Sequence, residues 1–316
     1  MLNFKQHQVY LSEASIRQGL PHITSMDHAQ FANLVKDGKV YLHDITEKTD
    51  GMTHVMGYDD QGFYTQSSGS GSEKMRQAGD YHVRAKRRAE ETGKPYSSVA
   101  PDAFAHVHSM LSSNSGLIEH LKNQYNKTKQ DTKIRGEVFY KPLGQPAENN
   151  QIKFVGTAYD PSHMGSVGKY VIHTKLPENH HVDANHFMSN LSTDDLNFDT
   201  DTVKHPPKIV DVSTEARRFG NLNRELIASR TTPKNKAAKM AELDKMSELQ
   251  KLVSSKVDST VEQMGISPKW GSGTEGIVVH PSASNPAAPR FKVTSAAFRE
   301  YKADPTNTEK FRKRNA

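Results

Sequence analysis

The sequence predicts an α+β fold, with antiparallel sheets interrupted by long helical stretches, and three observations predict it. Short alternating stretches such as "KVYLHDITEK" and "GKYVIHTKL" recur between turn residues, the pattern of half-buried strands. The segment "THVMGYDDQGFYTQSS" centres on Asp60-Gln61-Gly62 and reads as a hairpin, which makes its two strands antiparallel. Between strand blocks, apolar residues recur at three- and four-residue steps over about 73–130 and 213–265. Strands and helices therefore come in blocks, which argues for α+β and against a doubly wound parallel sheet.

Each element follows from local chemistry. Residues 1–38 read as an N-terminal arm ending in one helix. In "SMDHAQFANLVKDG", Ser25 is the expected N-cap, Phe31 and Leu34 share a face, and Gly38 is the stop. The main α+β domain then covers 39–295. Within 73–130, Phe104, Val107, Leu111, Leu117, Leu121 and Tyr125 mark the buried face of a helical insertion. Strands return at "DTKIRGEVFYKPL" (131–143), "NQIKFVGTAYDP" (150–161) and "GKYVIHTKL" (168–176). A second helical insertion over 213–265 is broken at "TTPKN", where Pro233 suits the first turn of the following helix. There, Met240, Leu243, Met246, Leu249, Leu252 and Val253 form the expected inward face. "TEGIVVHP" and "RFKVTS" are the last strands, and 296–316 is expected to form a helix and a basic tail.

Composition narrows the function classes. The 316 residues are 34% hydrophobic, mean hydropathy is −0.76, and no apolar run is long enough to span a bilayer. The opening "MLNFKQHQVY" is polar and lacks a secretory pattern, so a cytoplasmic protein is expected. With no cysteine, disulfides and thiolate metal sites are excluded. A net charge of +6 favours a polyanionic partner. The basic residues cluster in "HVRAKRRAEETGK", "RTTPKNKAAKMAELDK" and the closing "EKFRKRNA". His180, His181 and His186 in "ENHHVDANHF" match no common zinc spacing. A Gly/Ser stretch "SSGSGS" lacks the Lys-Ser/Thr of a phosphate-binding P-loop.

Four segments carry chemistry: "EKTDG" (47–51), "IRGEVFYK" (134–141), "TEGIVVH" (274–280) and "RFKV" (290–293). Asp-Gly after a strand is by itself a turn signal. A K-x-D-G tetrapeptide is expected by chance in roughly one chain of this length in fifteen, so the weight rests on all four in this order. Together they resemble the motifs of the covalent nucleotidyltransferase superfamily, which holds ATP-dependent RNA and DNA ligases and mRNA capping enzymes. The resemblance runs from about residue 40 to 295, though only about 25 positions carry it. It implies a ligase-type adenylation domain: two antiparallel β-sheets flanked by helices, here with the helical insertions added.

The resemblance also implies roles. Lys48 would be the nucleophile that takes AMP from ATP, with Lys292 on the α-phosphate and Asp50 ordering the loop. A free lysine has a pKa of about 10.4, so few such amines are neutral at pH 7. Nearby cations or desolvation are needed to free the amine. Lys292, Arg290 and a bound Mg²⁺ (or Mn²⁺) are the candidate cations. Glu137 and Glu275 would serve the metal and the ribose. Glu47, Gly51, Tyr159 and Arg290 would line the nucleotide, and either Phe154 or Tyr159 would stack on adenine. Plainer readings stand beside these: Glu137 as an exposed strand residue, Glu275 as a turn residue, and Lys292 and Arg290 as surface cations.

One departure is visible. Where the family often has Ser-Arg after a strand, Ser68 is followed by Gly69, so a phosphate contact would have to come from Lys74 or Arg76 or be missing. Too few residues follow Lys292 for the OB-fold usual in DNA ligases and capping enzymes, and too few precede Lys48 for a nicotinamide-recognition domain. ATP and a phage-type RNA ligase are therefore expected. RNA is favoured over DNA as nucleic-acid partner, with no membrane partner. "MLNFKQHQVYLSEA" is also loosely similar to the openings of tailed-phage proteins. The alternatives are a small DNA ligase, a nucleotide-binding phage structural protein that has lost sealing, and an adenylyltransferase acting on something other than nucleic acid.

Overall fold

The structure, a computed structural model, describes residues 20–49, 52–67, 73–96, 99–140, 168–176, 179–193, 196–229, 236–265, 274–295 and 299. For a few residues at segment ends, Glu275 among them, it describes the backbone only. In chain order the elements are α1 (His28–Val35), β1 (Lys39–Leu42), β2 (Ile45–Thr49), β3 (Met52–Asp59) and β4 (Gly62–Ser67). Then come α2 (Asp80–Thr92), α3 (Val99–Ser113), α4 (Ser115–Thr128), β5 (Thr132–Tyr140), β6 (Gly168–Ile172) and β7 (Leu196–Thr200). The last are β8 (Lys208–Asp211), α5 (Ser213–Ser229), α6 (Lys236–Gln263), β9 (Thr274–Val279) and β10 (Phe291–Thr294). The fold is α+β. No helix among the described residues is long and apolar enough to cross a membrane.

The chain divides into two compact units. One gathers residues 1–48, 203–269 and 276–299; the other gathers 49–202, 270–275 and 300–316.

In the first unit, α1 starts two residues later than expected. Asp27, not Ser25, is the N-cap: its carboxylate accepts from Gln30 N–H at 2.8 Å, and Gln30 Oε1 accepts from Asp27 N–H at 3.1 Å. This reciprocal box satisfies two donors that the helix itself leaves open. Ser25 instead closes a single 3₁₀ turn. Gly38 sits at φ +68°, where a Cβ would also meet the Ser213 backbone at 3.0 Å, so the stop is glycine for two reasons. The stretch read as one strand, "KVYLHDITEK", is two. β1 pairs with β8, while β2 joins the three-stranded sheet β10-β9-β2. Alternation alone cannot reveal a change of sheet at His43-Asp44.

The core of this unit joins Phe31 and Leu34 of α1 to Val40 and Leu42 of β1. Ile277, Val279, Phe291 and Val293 of the sheet pack with them. α6 contributes Leu249, Val253 and Val257, spaced by four and four, with Met246 partly buried beside them. Leu243 and Leu252 were expected on that face, but they are 68% and 45% exposed. The buried stripe follows 246, 249, 253 and 257, the spacing that 3.6 residues per turn requires.

The second unit is built on a five-stranded sheet, β4-β3-β5-β6-β7. The expected hairpin is present: Asp59 pairs with Gly62 around Asp60-Gln61. Four strands pair antiparallel, but β7 lies parallel to β6, so the sheet is mixed rather than purely antiparallel. β7 and β8 were not foreseen. One face of this sheet carries Met56, Ile134, Val138, Tyr170, Ile172, Leu196 and Phe198. Val107 and Leu111 of α3 and Leu117 and Leu121 of α4 cover it, as their spacing implied. A π-helical turn, Phe187–Leu191, completes the cover.

The expected strand over 150–161, Pro233 and the tail over 296–316 fall outside the described residues, Arg299 excepted.

Candidate functional site

Lys48 stands on β2, and the strand places it with other cations. His280 N–H donates to the Asp44 carbonyl at 2.9 Å, where β2 begins and β9 has just ended. Two adjacent strands that meet this way run antiparallel. Continued without a break, that pairing puts Thr46 across from Val278 and Lys48 across from Gly276. β9 in turn pairs Val278 with Lys292 and Gly276 with Thr294. Residues directly opposite in a ladder share a face. Lys48, Lys292 and Arg290 therefore lie on one face, opposite to Ile45, Ile277, Val279, Phe291 and Val293 of the core. A side-chain contact agrees with this register: Thr46 Oγ1 and His280 Nε2 lie 2.9 Å apart on the Lys48 face.

All three cations are half-buried, not extended into bulk water. Lys292 is two strands across and two residues along from Lys48. Strand spacing and rise put the two backbones about 12 Å apart, close enough for two lysine stems to reach one phosphate. Glu47 does not belong to this group. It lies on the core side of β2 and is 3% exposed, so the structure places it behind the sheet instead of with Lys48. Glu275 is the second residue of β9, and only its backbone is described. Asp50, Gly51, Phe154, Tyr159, Ser68 and Gly69 lie outside the described residues.

Two motif glycines have a structural reason of their own. A Cβ on Gly276, at φ +155°, would come within 2.0 Å of the Val293 carbonyl oxygen. A Cβ on Gly136, in "RGEVFY", would come within 2.3 Å of the Val171 carbonyl oxygen and 2.5 Å of the Tyr170 ring. Neighbouring strands demand these glycines whether or not a ligand approaches them.

Glu137 belongs to the second unit, on β5, paired with Thr53 on one side and Val171 on the other. It is 6% exposed, which overturns the plain reading of a surface strand residue. By register it sits on the face opposite Ile134, Val138 and Tyr170, together with Arg135, Val171, His173 and Asp199. His173 Nε2 lies 3.7 Å from Glu137 Oε1, and its Nδ1 lies 3.1 Å from Asp201 Oδ2. Asp201 is fixed in turn, accepting from Thr174 N–H at 3.0 Å and from the Thr174 hydroxyl at 2.8 Å. The sequence carried too little signal for this cluster. His173 follows an alternating strand and could have been marked, but Asp201 reaches it only because β7 is parallel to β6.

Lys74 and Arg76 are not available as spare phosphate contacts. Lys74 Nζ lies 2.6 Å from Asp59 and 2.8 Å from Asp131, and Arg76 lies 2.7 Å from Asp59. Burial alone would raise the Asp59 carboxyl, but the hydrogen bonds from Arg76 and Lys74 outweigh it and hold Asp59 well below the usual carboxylate range. Both cations also lie over the Tyr64 ring, at 4.3 and 5.2 Å from its centre. This cluster ties the chain after β4 to the hairpin.

No set of three or more histidines and acids that could hold a metal is gathered among the described residues. His186 stacks on His120 of α4 with ring centres 4.9 Å apart. An all-protein cage is not what Mg²⁺ needs when it arrives on phosphates: one or two hard carboxylates suffice. Glu137, an oxygen donor on a polar sheet face, fits that requirement.

Comparison of the chain with protein-family models, with curated proteins and with solved structures gives no match.

Proposed function

We propose that the chain is an ATP-dependent nucleotidyltransferase of the RNA-ligase kind, which stores AMP on Lys48 and passes it to a nucleic-acid 5′-phosphate. One observation carries the reading. Three motif segments, the first of them far in sequence from the other two, become neighbouring strands of one sheet, with Lys48, Lys292 and Arg290 together on its non-core face. Unrelated surface lysines have no reason to converge in this way.

In this mechanism Lys48 attacks as a free amine. The neighbouring ammonium and guanidinium disfavour a third positive charge, so they help the amine shed its proton to solvent. Its nitrogen bonds to the α-phosphorus as the bond to the bridging oxygen breaks and pyrophosphate leaves. Lys292 and Arg290 then stabilise the negative charge on the transferring phosphoryl oxygens. By the resemblance, Glu137 would serve the ribose or a water on the metal when one is bound. Magnesium, when bound, neutralises phosphate charge. In the second half, an oxygen of a 5′-phosphate displaces Lys48 from the adenylate, and a strand's 3′-hydroxyl then displaces AMP.

The test is sealing of nicked duplexes with RNA or DNA on each side of the nick, in ATP and Mg²⁺. Sealing with RNA at the nick supports the reading, and preference for all-DNA nicks replaces it with a small DNA ligase. A second reading, a nucleotide-binding phage structural protein without sealing, is favoured by the pairing of Lys74 and Arg76 with acids. It predicts no covalent AMP and no sealing.

A further inference from the structure

We propose that His173, held by Asp201, is the positioning residue that aims Glu137. This rests on the reading of Glu137 as a nucleotide contact, and it adds two residues that none of the four motif segments contains. The supporting geometry lies wholly within the second unit. Glu137, His173 and Asp201 form a carboxylate–imidazole–carboxylate chain whose side chains are 8%, 19% and 5% exposed. A carboxylate that must meet a ribose hydroxyl or a metal-bound water has to be held in one rotamer. The imidazole beside Glu137 is a group that can help to do so.

The chain is anchored at its far end. Asp201 takes two hydrogen bonds from Thr174, and the Thr174 and Thr202 hydroxyls lie 3.0 Å apart. Asn179 ties the His173 backbone to β5, donating to the carbonyls of Arg135 and His173 at 2.7 Å each. The imidazole is fixed on Asp201 through Nδ1, which leaves Nε2 on the Glu137 side, 3.7 Å from Oε1. Arg135 of β5 and Asp199 of β7 share that sheet face by register. This is the arrangement by which outer carboxylates commonly fix a histidine and, through it, a reacting group.

The experiment measures AMP uptake at varied ATP for the full chain, its His173 and Glu137 variants, and the double variant. Glutamine places an amide donor where Nε2 sits, toward Glu137. Asparagine places one where Nδ1 sits, toward Asp201. His173→Asn and His173→Ala are expected to raise the KM for ATP about 10-fold or more, with the saturated rate within about threefold of wild type. His173→Gln is expected to recover most of the loss. In a Glu137→Gln background, His173→Ala should add nothing, because its effect passes through Glu137. The inference is overturned if Asn recovers uptake and Gln does not, if losses in the double variant multiply, or if no His173 variant changes KM. A wild-type chain that takes up no AMP overturns the underlying reading, and this inference with it.

Discussion

The two units differ in the charges they set on the non-core faces of their sheets. In the first unit that face collects cations, Lys48 from β2, Lys292 from β10 and Arg290 just before β10. In the second it holds the acids Glu137, Asp199 and Asp201 together with Arg135, and His173 lies between two of the acids. Charges of one sign on one face cost stability through repulsion. The second unit mixes signs on its face, as the Asp59–Lys74–Arg76–Asp131 cluster does, while the three motif cations of the first share theirs. In the proposed reaction those cations would serve the nucleophile and the phosphate.

The comparison breaks most readily at Lys48. Lys48→Ala is expected to abolish sealing altogether while leaving the melting temperature nearly unchanged, since Lys48 lies off the core face. Sealing that survives would remove the cationic face from the mechanism. Lys292→Ala should slow AMP uptake about 10²–10³-fold, the usual cost of one donor aimed at developing phosphoryl charge. Arginine at 292 should recover part of it.

The acid response sharpens the contrast between the units. His54 on β3 is fully buried, with ring nitrogens that have no hydrogen-bond partner among the described residues, stacked against Phe104. Burial first, and then the charge of His108, push its imidazole down to about 3. An unfolded histidine titrates near 6.5, so stability is fully present above that pH. It falls as pH drops from about 6.5 toward 3, by at most about 1.4 kcal/mol per pH unit. Amide protection in β3 and β5, corrected for the intrinsic exchange rate at each pH, should be lower at about pH 5 than at neutral pH, by more than in β9 and β10. His54→Phe should flatten that response.

The smallest expected effect belongs to the first unit. Asp27→Ala removes one half of the capping box and should cost about 1 kcal/mol, read by denaturant unfolding, with AMP uptake unchanged.

Much of this was legible in local chemistry. Val107, Leu111, Leu117 and Leu121 announced the helical cover through spacing alone, and Asp60-Gln61-Gly62 announced the hairpin. Lys48, Lys292 and Arg290 are named by the resemblance of their segments to family motifs, which periodicity alone does not give; the fold adds that they share a face. What stayed hidden depends on partners distant in sequence. Glu47 is next to Lys48 in the chain, yet it faces the core. The His173–Asp201 contact needs a parallel strand pair that no turn signal marks. β1 and β2 part into different sheets with only His43 and Asp44 between them. Local patterns fix faces, but which strand lies beside which is decided by the whole chain.

The most direct test of the central claim is tandem mass spectrometry of the full chain after incubation with ATP and Mg²⁺. The account predicts a single adenylate on the peptide containing Lys48, removed by added pyrophosphate and absent in Lys48→Ala. An unmodified wild-type chain, or an adenylate on any other residue, would contradict it.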